Sequence, residues 1–229
     1  MSLVLLLVAA ATAARSLTLS QLDTNARVLA LDTVGSRQRF TDAQIFQWIN
    51  EAQSNLIDYS RCLRQDIVFN LTQGVTYYSM PANFLFVERV TVGAKYLQEM
   101  SPAALDGRSR AWEVAPGYPT YYFVNFSSRA QVGFAPFPQA ASDVDSVKVE
   151  YDVQATALVN TTDVPFNNSP DLFTYQYALQ YYAAAQMTAI DRQMDRSAAY
   201  MAIYQTASQA MQTHCSLRPN YLPSSSATP

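Results

Sequence analysis

Residues 41–71, TDAQIFQWINEAQSNLIDYSRCLRQDIVFNL, carry two hydrophobic periods in succession. Thr41 reads as an N-cap with Asp42 in the first turn, and Ile45, Trp48, Ile49, Ala52, Leu56 and Tyr59 follow at steps of three and four. That spacing puts apolar side chains on one face of a helix. Gln44, Gln47, Asn50, Glu51 and Asn55 fall on the other side, which reads as a solvated face. From Gln65 the step changes to two, and Asp66–Leu71 reads as a strand. A helical region therefore ends, and a β-rich one begins, within a few residues.

Toward the N-terminus, Leu19, Leu22, Ala26, Leu29 and Ala30 carry helical spacing, with Gly35 and Ser36 marking the expected helix end. Before them, Leu3–Ala14 reads LVLLLVAAATAA. A membrane-spanning helix needs about 20 apolar residues, so this run is too short. It has the length of a signal-peptide core, but no Lys or Arg precedes it. The preferred reading is an apolar arm that docks on a partner. The alternative is the signal peptide of a secreted or periplasmic β-rich binding protein.

Toward the C-terminus, Val75–Tyr78 follows Gly74, and Phe84–Val92 with Lys95–Leu97 predict a hairpin around Gly93. Tyr118–Phe126, Ala130–Phe134 and Ser146–Val153 predict further strands, with turns at Gly107, Pro116-Gly117, Ser127-Ser128 and Pro136–Pro138. Short strands at such spacing favour a sandwich or barrel over βαβ units. Ser169 then reads as an N-cap with Pro170 at the first helical position. One stripe runs through Leu172, Tyr175, Leu179, Tyr182, Ala183, Met187 and Ile190, and a second through Met194, Ala198, Met201, Tyr204, Ala207 and Met211. Two antiparallel helices are favoured over one long bent helix, and Pro219–Pro229 reads as a tail.

The expected fold is α+β: a four-helix bundle, two N-terminal and two C-terminal helices, with an inserted antiparallel β-sandwich or barrel-like domain and an extended C-terminal tail. The boundaries are 1–16 for the apolar arm, 17–64 and 169–216 for the bundle, 65–168 for the β-rich insert and 217–229 for the tail. Ile45, Trp48, Ile49, Leu56, Leu179 and Tyr182 are the expected bundle core. Pro219, Asn220, Tyr221, Leu222 and Pro223 are the candidate partner-docking tail.

The chain has 229 residues, 15 Lys+Arg against 18 Asp+Glu, a formal net charge of -3 and 14% charged residues. An average domain carries roughly 25%, so the expected surface is poor in charge and covered by other subunits. A protein that grips duplex DNA needs a cationic face, and no basic run exists here. Only transient, non-specific contact with double-stranded DNA is expected. Cys62 and Cys215 are too few for a disulfide framework and are expected simply to pack. His214 beside Cys215 lacks the further ligands of a zinc site. There is no phosphate-binding Gly-rich loop and no G-x-S-x-G elbow. No catalytic, metal or cofactor-binding residue is assigned, and the chain is read as a non-enzyme. Tyrosine, 15 residues with pairs at Tyr77-Tyr78, Tyr121-Tyr122 and Tyr181-Tyr182, suits protein contact surfaces, where aromatics are enriched.

Phe40-Thr-Asp-Ala-Gln-Ile-Phe-Gln-Trp-Ile-Asn-Glu-Ala-Gln53 resembles the second helix of tailed-phage portal–tail adaptor (head-to-tail connector) proteins. Gly74-Val-Thr-Tyr-Tyr-Ser-Met-Pro-Ala-Asn-Phe84, Glu88-Arg-Val90, Gly117-Tyr-Pro-Thr-Tyr-Tyr122 and Phe134-Ala-Pro-Phe-Pro138 are similar to later elements of that family, in the same order. Met80 stands where Leu is usual there, and Asn83 where Asp is. The resemblance spans roughly residues 17 to 215 and implies a structural virion protein at the head–tail junction. It implies a dodecameric ring beneath the portal protein that extends the DNA channel and docks tail or nozzle proteins.

Overall fold

The computed structural model describes residues 16–32, 38–108, 111–124, 131–138 and 146–217. The chain divides into two compact units: residues up to Ser60 together with those from Thr156 onward, and Arg61–Ala155.

The first unit is helical. It contains α1 (Leu19–Ala30), α2 (Asp42–Ser60), α4 (Tyr177–Ile190) and α5 (Met194–Ser216), while α3 (Pro102–Arg108) belongs to the other unit. Both N-terminal helices open on a capping box. The Thr18 hydroxyl accepts from the Gln21 amide while Gln21 accepts from the Thr18 amide. Thr41 and Gln44 repeat the exchange at the start of α2. α1 ends before Gly35: Leu31 takes a left-handed conformation (φ 58), and the Asp32 amide closes back on the Arg27 carbonyl at 2.9 Å.

α4 packs on α1, α2 and α5. It is accordingly buried on most sides, with Ala178, Leu179, Ala183, Ala184 and Met187 all inaccessible. Asp191–Gln193 reverse the chain, with Arg192 left-handed (φ 59). α5 returns antiparallel, since Tyr182 meets Tyr204, and Tyr175 meets both Ala210 and His214. The C-terminal stretch is therefore two helices. Ser169 makes no side-chain cap; Pro170 opens a short 3₁₀ segment, Pro170–Tyr175, and α4 starts only at Tyr177.

The second unit holds β1 (Arg64–Asn70), β2 (Tyr77–Ser79), β3 (Phe84–Val92), β4 (Lys95–Tyr96), β5 (Gln98–Glu99), α3 (Pro102–Arg108), β6 (Tyr121–Val124), β7 (Gln131–Ala135) and β8 (Ser146–Val153). The strands form two four-stranded sheets, in the orders β1-β8-β3-β4 and β2-β7-β6-β5. Neither is a closed barrel, which corrects the barrel-like expectation. The second sheet is not wholly antiparallel either, because β5 pairs with β6 in parallel. Period-2 alternation buries Val147, Val149, Tyr151 and Val153 of β8 on one face. Phe69 stacks on Tyr78 and meets Phe134 edge-on, linking the sheets. On the other side of the second sheet, Phe123 and Ala135 pack with Met100, Leu105 and Trp112. Gly107 lies inside α3 and not in a turn.

Candidate functional site

The segment Trp48–Gln53 lies in the middle of α2, and its side chains reach several parts of the helical unit. Asn50 donates from Nδ2 to the Leu158 carbonyl at 3.0 Å and accepts from the Leu158 amide at 2.7 Å, pairing with that residue's backbone as another strand would. Gln53, one turn on, is buried. It donates to the Thr156 carbonyl at 3.0 Å and accepts from the Phe166 amide at 2.8 Å. The two amides thus hold an extended segment that would otherwise carry unmet backbone groups.

Glu51 accepts from the Tyr182 hydroxyl at 2.8 Å, and the Ala52 carbonyl accepts from the Tyr204 hydroxyl at 3.0 Å. Burial, and after it Glu51, push the Tyr182 hydroxyl up to about 12, so it stays a donor. The expectation of a solvated face is therefore corrected at Asn50, whose amide is taken up by distant backbone, while Glu51 stays exposed as it accepts from Tyr182. Polar residues on a helix carry no mark distinguishing a solvated amide from one bonded to distant backbone.

A second polar cluster closes one end of the same unit. Arg27, 2% exposed, donates from Nε to Asp23 at 3.1 Å and from Nη1 to Asp32 and the Phe40 carbonyl, both at 3.0 Å; its Nη2 donates to Asp42. Asp32 also accepts from the Arg39 amide at 2.9 Å, and the Arg39 guanidinium pairs with Asp191. The end of α1, the start of α2 and the α4–α5 turn are tied through two guanidinium forks. Burial holds Asp23 above its ordinary range, with Arg27 opposing.

In the β-rich unit the segments singled out by resemblance converge. Gly74, at φ 75, donates its amide to the Pro138 carbonyl at 2.8 Å. The Gly117 amide bonds the Phe137 carbonyl at 2.9 Å, and the Tyr78 hydroxyl accepts from the Thr72 amide at 2.7 Å. These contacts set loops in place and bring no reactive groups together.

Of the expected core, Ile45, Ile49, Leu56 and Leu179 are inaccessible and Tyr182 is buried. Trp48 is only half-buried, edge-on to Phe40 at 5.7 Å. The second helical stripe is shorter than expected: Tyr204, Ala207 and Met211 are buried, while Met194 and Ala198 are exposed, as is Ile190 of the first stripe. Residues 219–223 and the apolar run 3–14 lie outside the described residues. Cys62 and Cys215 are buried, but neither is a free thiol, which corrects the expectation that they simply pack.

Among the described residues, no three of His, Cys, Asp and Glu gather into a metal-holding group. Among them too, no helix is long and apolar enough to cross a membrane. The outer face of α5 stands out instead. Ala198, Ala199, Ala202, Ile203, Thr206, Gln209, Ala210 and Thr213 are exposed, and no Asp, Glu, Lys or Arg occurs from Ser197 to Leu217.

No curated protein matches this chain. A family model described as SU10 adaptor protein matches residues 17–221, which takes in α1, the whole β-rich unit and α5. The chain belongs to the SU10 adaptor protein family.

Proposed function

We propose that this protein is the portal–tail adaptor of a tailed-phage particle. It is a structural, non-catalytic subunit that forms a dodecameric ring below the portal, extends the DNA channel and docks tail or nozzle proteins. The observation that carries the reading is the family match over residues 17–221. On this reading the helical unit is a four-helix bundle supplying the ring wall, and the β-rich unit is a two-sheet docking module. A closed ring needs two different faces per subunit, and we assign the uncharged outer face of α5 to one of them. The small apolar side chains there carry no charge to desolvate when a neighbour covers them, and Gln209 keeps its hydrogen bonding by pairing across the contact. With a net charge of -3, passing DNA meets no strongly cationic subunit to hold its phosphates.

The test is sedimentation velocity and negative-stain imaging of the purified chain with and without portal protein. Rings that co-sediment with portal are expected. A chain that neither forms rings nor binds portal, and is missing from purified particles by mass spectrometry, refutes the assignment. Deleting Pro219–Pro229 is expected to leave the subunit folded and weaken its assembly; equal portal binding by the shortened chain removes the tail from the docking role.

A further inference from the structure

The face of the β1–β8–β3 sheet opposite the buried valines of β8 carries a row of charged residues. Lys148, Glu150 and Asp152 alternate along β8 on that face. The first two are ordinary surface partners: Glu150 pairs with Arg89 and Lys148, and Lys148 also approaches Asp66. Asp152 differs. It is 0% exposed, and among the described residues no hydrogen-bond donor reaches either of its carboxylate oxygens. Arg64, directly across on β1, holds its Nε 3.6 Å from Asp152 and its Nη2 3.6 Å from Glu88.

Glu88 is at this place because β3 bulges. Val87 pairs with Tyr151 and Arg89 with the next residue, Glu150, so Glu88 is an extra residue without a partner on β8. Such bulges re-aim side chains, and this one sets Glu88 against the same guanidinium as Asp152. The other charged groups facing the pair are few. Arg61 lies over the Phe86 ring at 4.1 Å and lends a weaker positive field, while Arg89 is turned to Glu150. Two carboxylates thus share one guanidinium at longer than hydrogen-bond distance. A buried carboxylate without donors is costly to ionise.

We propose that Asp152 and Glu88 form a proton-operated latch between β8 and β3. Asp152 keeps its proton and donates it to the Glu88 carboxylate; loss of that proton sets two carboxylates against each other and loosens the bulged part of the β3–β8 pairing. Burial foremost, then Glu88, raise the Asp152 carboxyl to about 8. The folded chain therefore binds this proton more tightly than the unfolded chain does. The stabilisation is complete below the ordinary aspartate value of 3.8 and is lost as pH rises toward about 8.

The experiment uses the full chain and its Asp152→Asn and Glu88→Gln variants. Melting temperature and amide exchange at Val87–Arg89 are followed from about pH 5 to pH 9, the window that linkage assigns to a raised carboxyl. The wild type is expected to lose melting temperature and exchange protection steadily with rising pH. Asp152→Asn flattens that slope. Glu88→Gln gives Asp152 an amide donor in place of an acceptor and moves the loss to lower pH. Should Asp152→Asn fail to fold, Glu88→Gln carries the test alone. Identical slopes in wild type and variants overturn the latch. So does a wild-type slope abolished by millimolar calcium, which would make the pair a cation site and not a proton site.

Discussion

Gly133→Ala probes the β-rich unit at its tightest point. β6 and β7 place Phe123 directly opposite Gly133, and the phenyl ring lies over the glycine. A Cβ built there falls 2.2 Å from Phe123 Cζ and 2.4 Å from Cε2, where carbon atoms in contact sit about 3.5–4.0 Å apart. The ring has nowhere to go, because Phe123 is 2% exposed and held edge-on by Trp112 at 5.0 Å and Tyr77 at 5.7 Å. Overpacking a closed core costs about 1–3 kcal/mol. An overlap deeper than an ångström on a locked ring belongs at the upper end, about 3 kcal/mol. Phe123→Leu alone is expected to cost about 1.5 kcal/mol, and the double variant less than the two together, with a coupling of about 1–2 kcal/mol. Urea unfolding followed by Trp112 fluorescence, in a Trp48→Phe background, reports on this unit alone, since the chain has 2 Trp. A Gly133→Ala stability within about 0.5 kcal/mol of wild type, or an additive cycle, refutes the reasoning.

Arg27→Ala leaves Asp32 buried with only the Arg39 groups beside it, and is expected to cost about 3–5 kcal/mol by urea titration; a loss under about 1 kcal/mol would show that water already serves the cluster. Trp48→Ala is expected to cost about 2 kcal/mol, roughly half the value for a fully buried tryptophan, because its ring is only half-buried. Asn50→Ala strips both partners from the Leu158 backbone and should cost about 1–3 kcal/mol, with faster amide exchange at Leu158 and unchanged exchange in β8.

What could be read along the chain was whatever each element writes into its own residues. α2 shows its buried face at three- and four-residue steps because it packs on one side, and β8 alternates from Ser146 to Tyr151 for the corresponding reason, the buried Asp152 breaking the pattern. Legibility fails where the environment is not one-sided. α4 is covered by three helices, so its stripe is too broad to orient it; α5 touches its neighbours mainly through Tyr204, Ala207 and Met211, so an apolar Met194 misleads. α3 was hidden by Gly107 and by its short length, and the Glu88 bulge by the absence of any local signal for an extra residue. Asn50 and Gln53 were hidden because their partners lie more than a hundred positions away.

Low charge is not spread evenly over this molecule, and its distribution bears on assembly. Several arginines are engaged within their own subunit: Arg27 with three aspartates, Arg39 with Asp191, Arg89 with Glu150, and Arg196 with the Leu29 carbonyl and the Tyr200 hydroxyl. These pairs are met within the subunit, and α5 beyond Arg196 carries no Asp, Glu, Lys or Arg. Covering such a helix strands no ion, whereas covering the sheet face that carries Asp66, Lys148, Glu150 and Arg89 means desolvating four. Permanent burial against a neighbouring copy therefore suits α5, and the sheet face suits a wet or exchangeable boundary. Ala202→Glu separates these roles. Ala202 is exposed in the isolated subunit, so the carboxylate should leave the melting temperature within about 2 °C of wild type, as surface changes do. In a ring closed through α5 the same carboxylate is buried without a partner, and sedimentation should show subunits that fold and do not assemble. Normal rings from Ala202→Glu would move the subunit contact off α5, and with it the explanation offered for the missing charge.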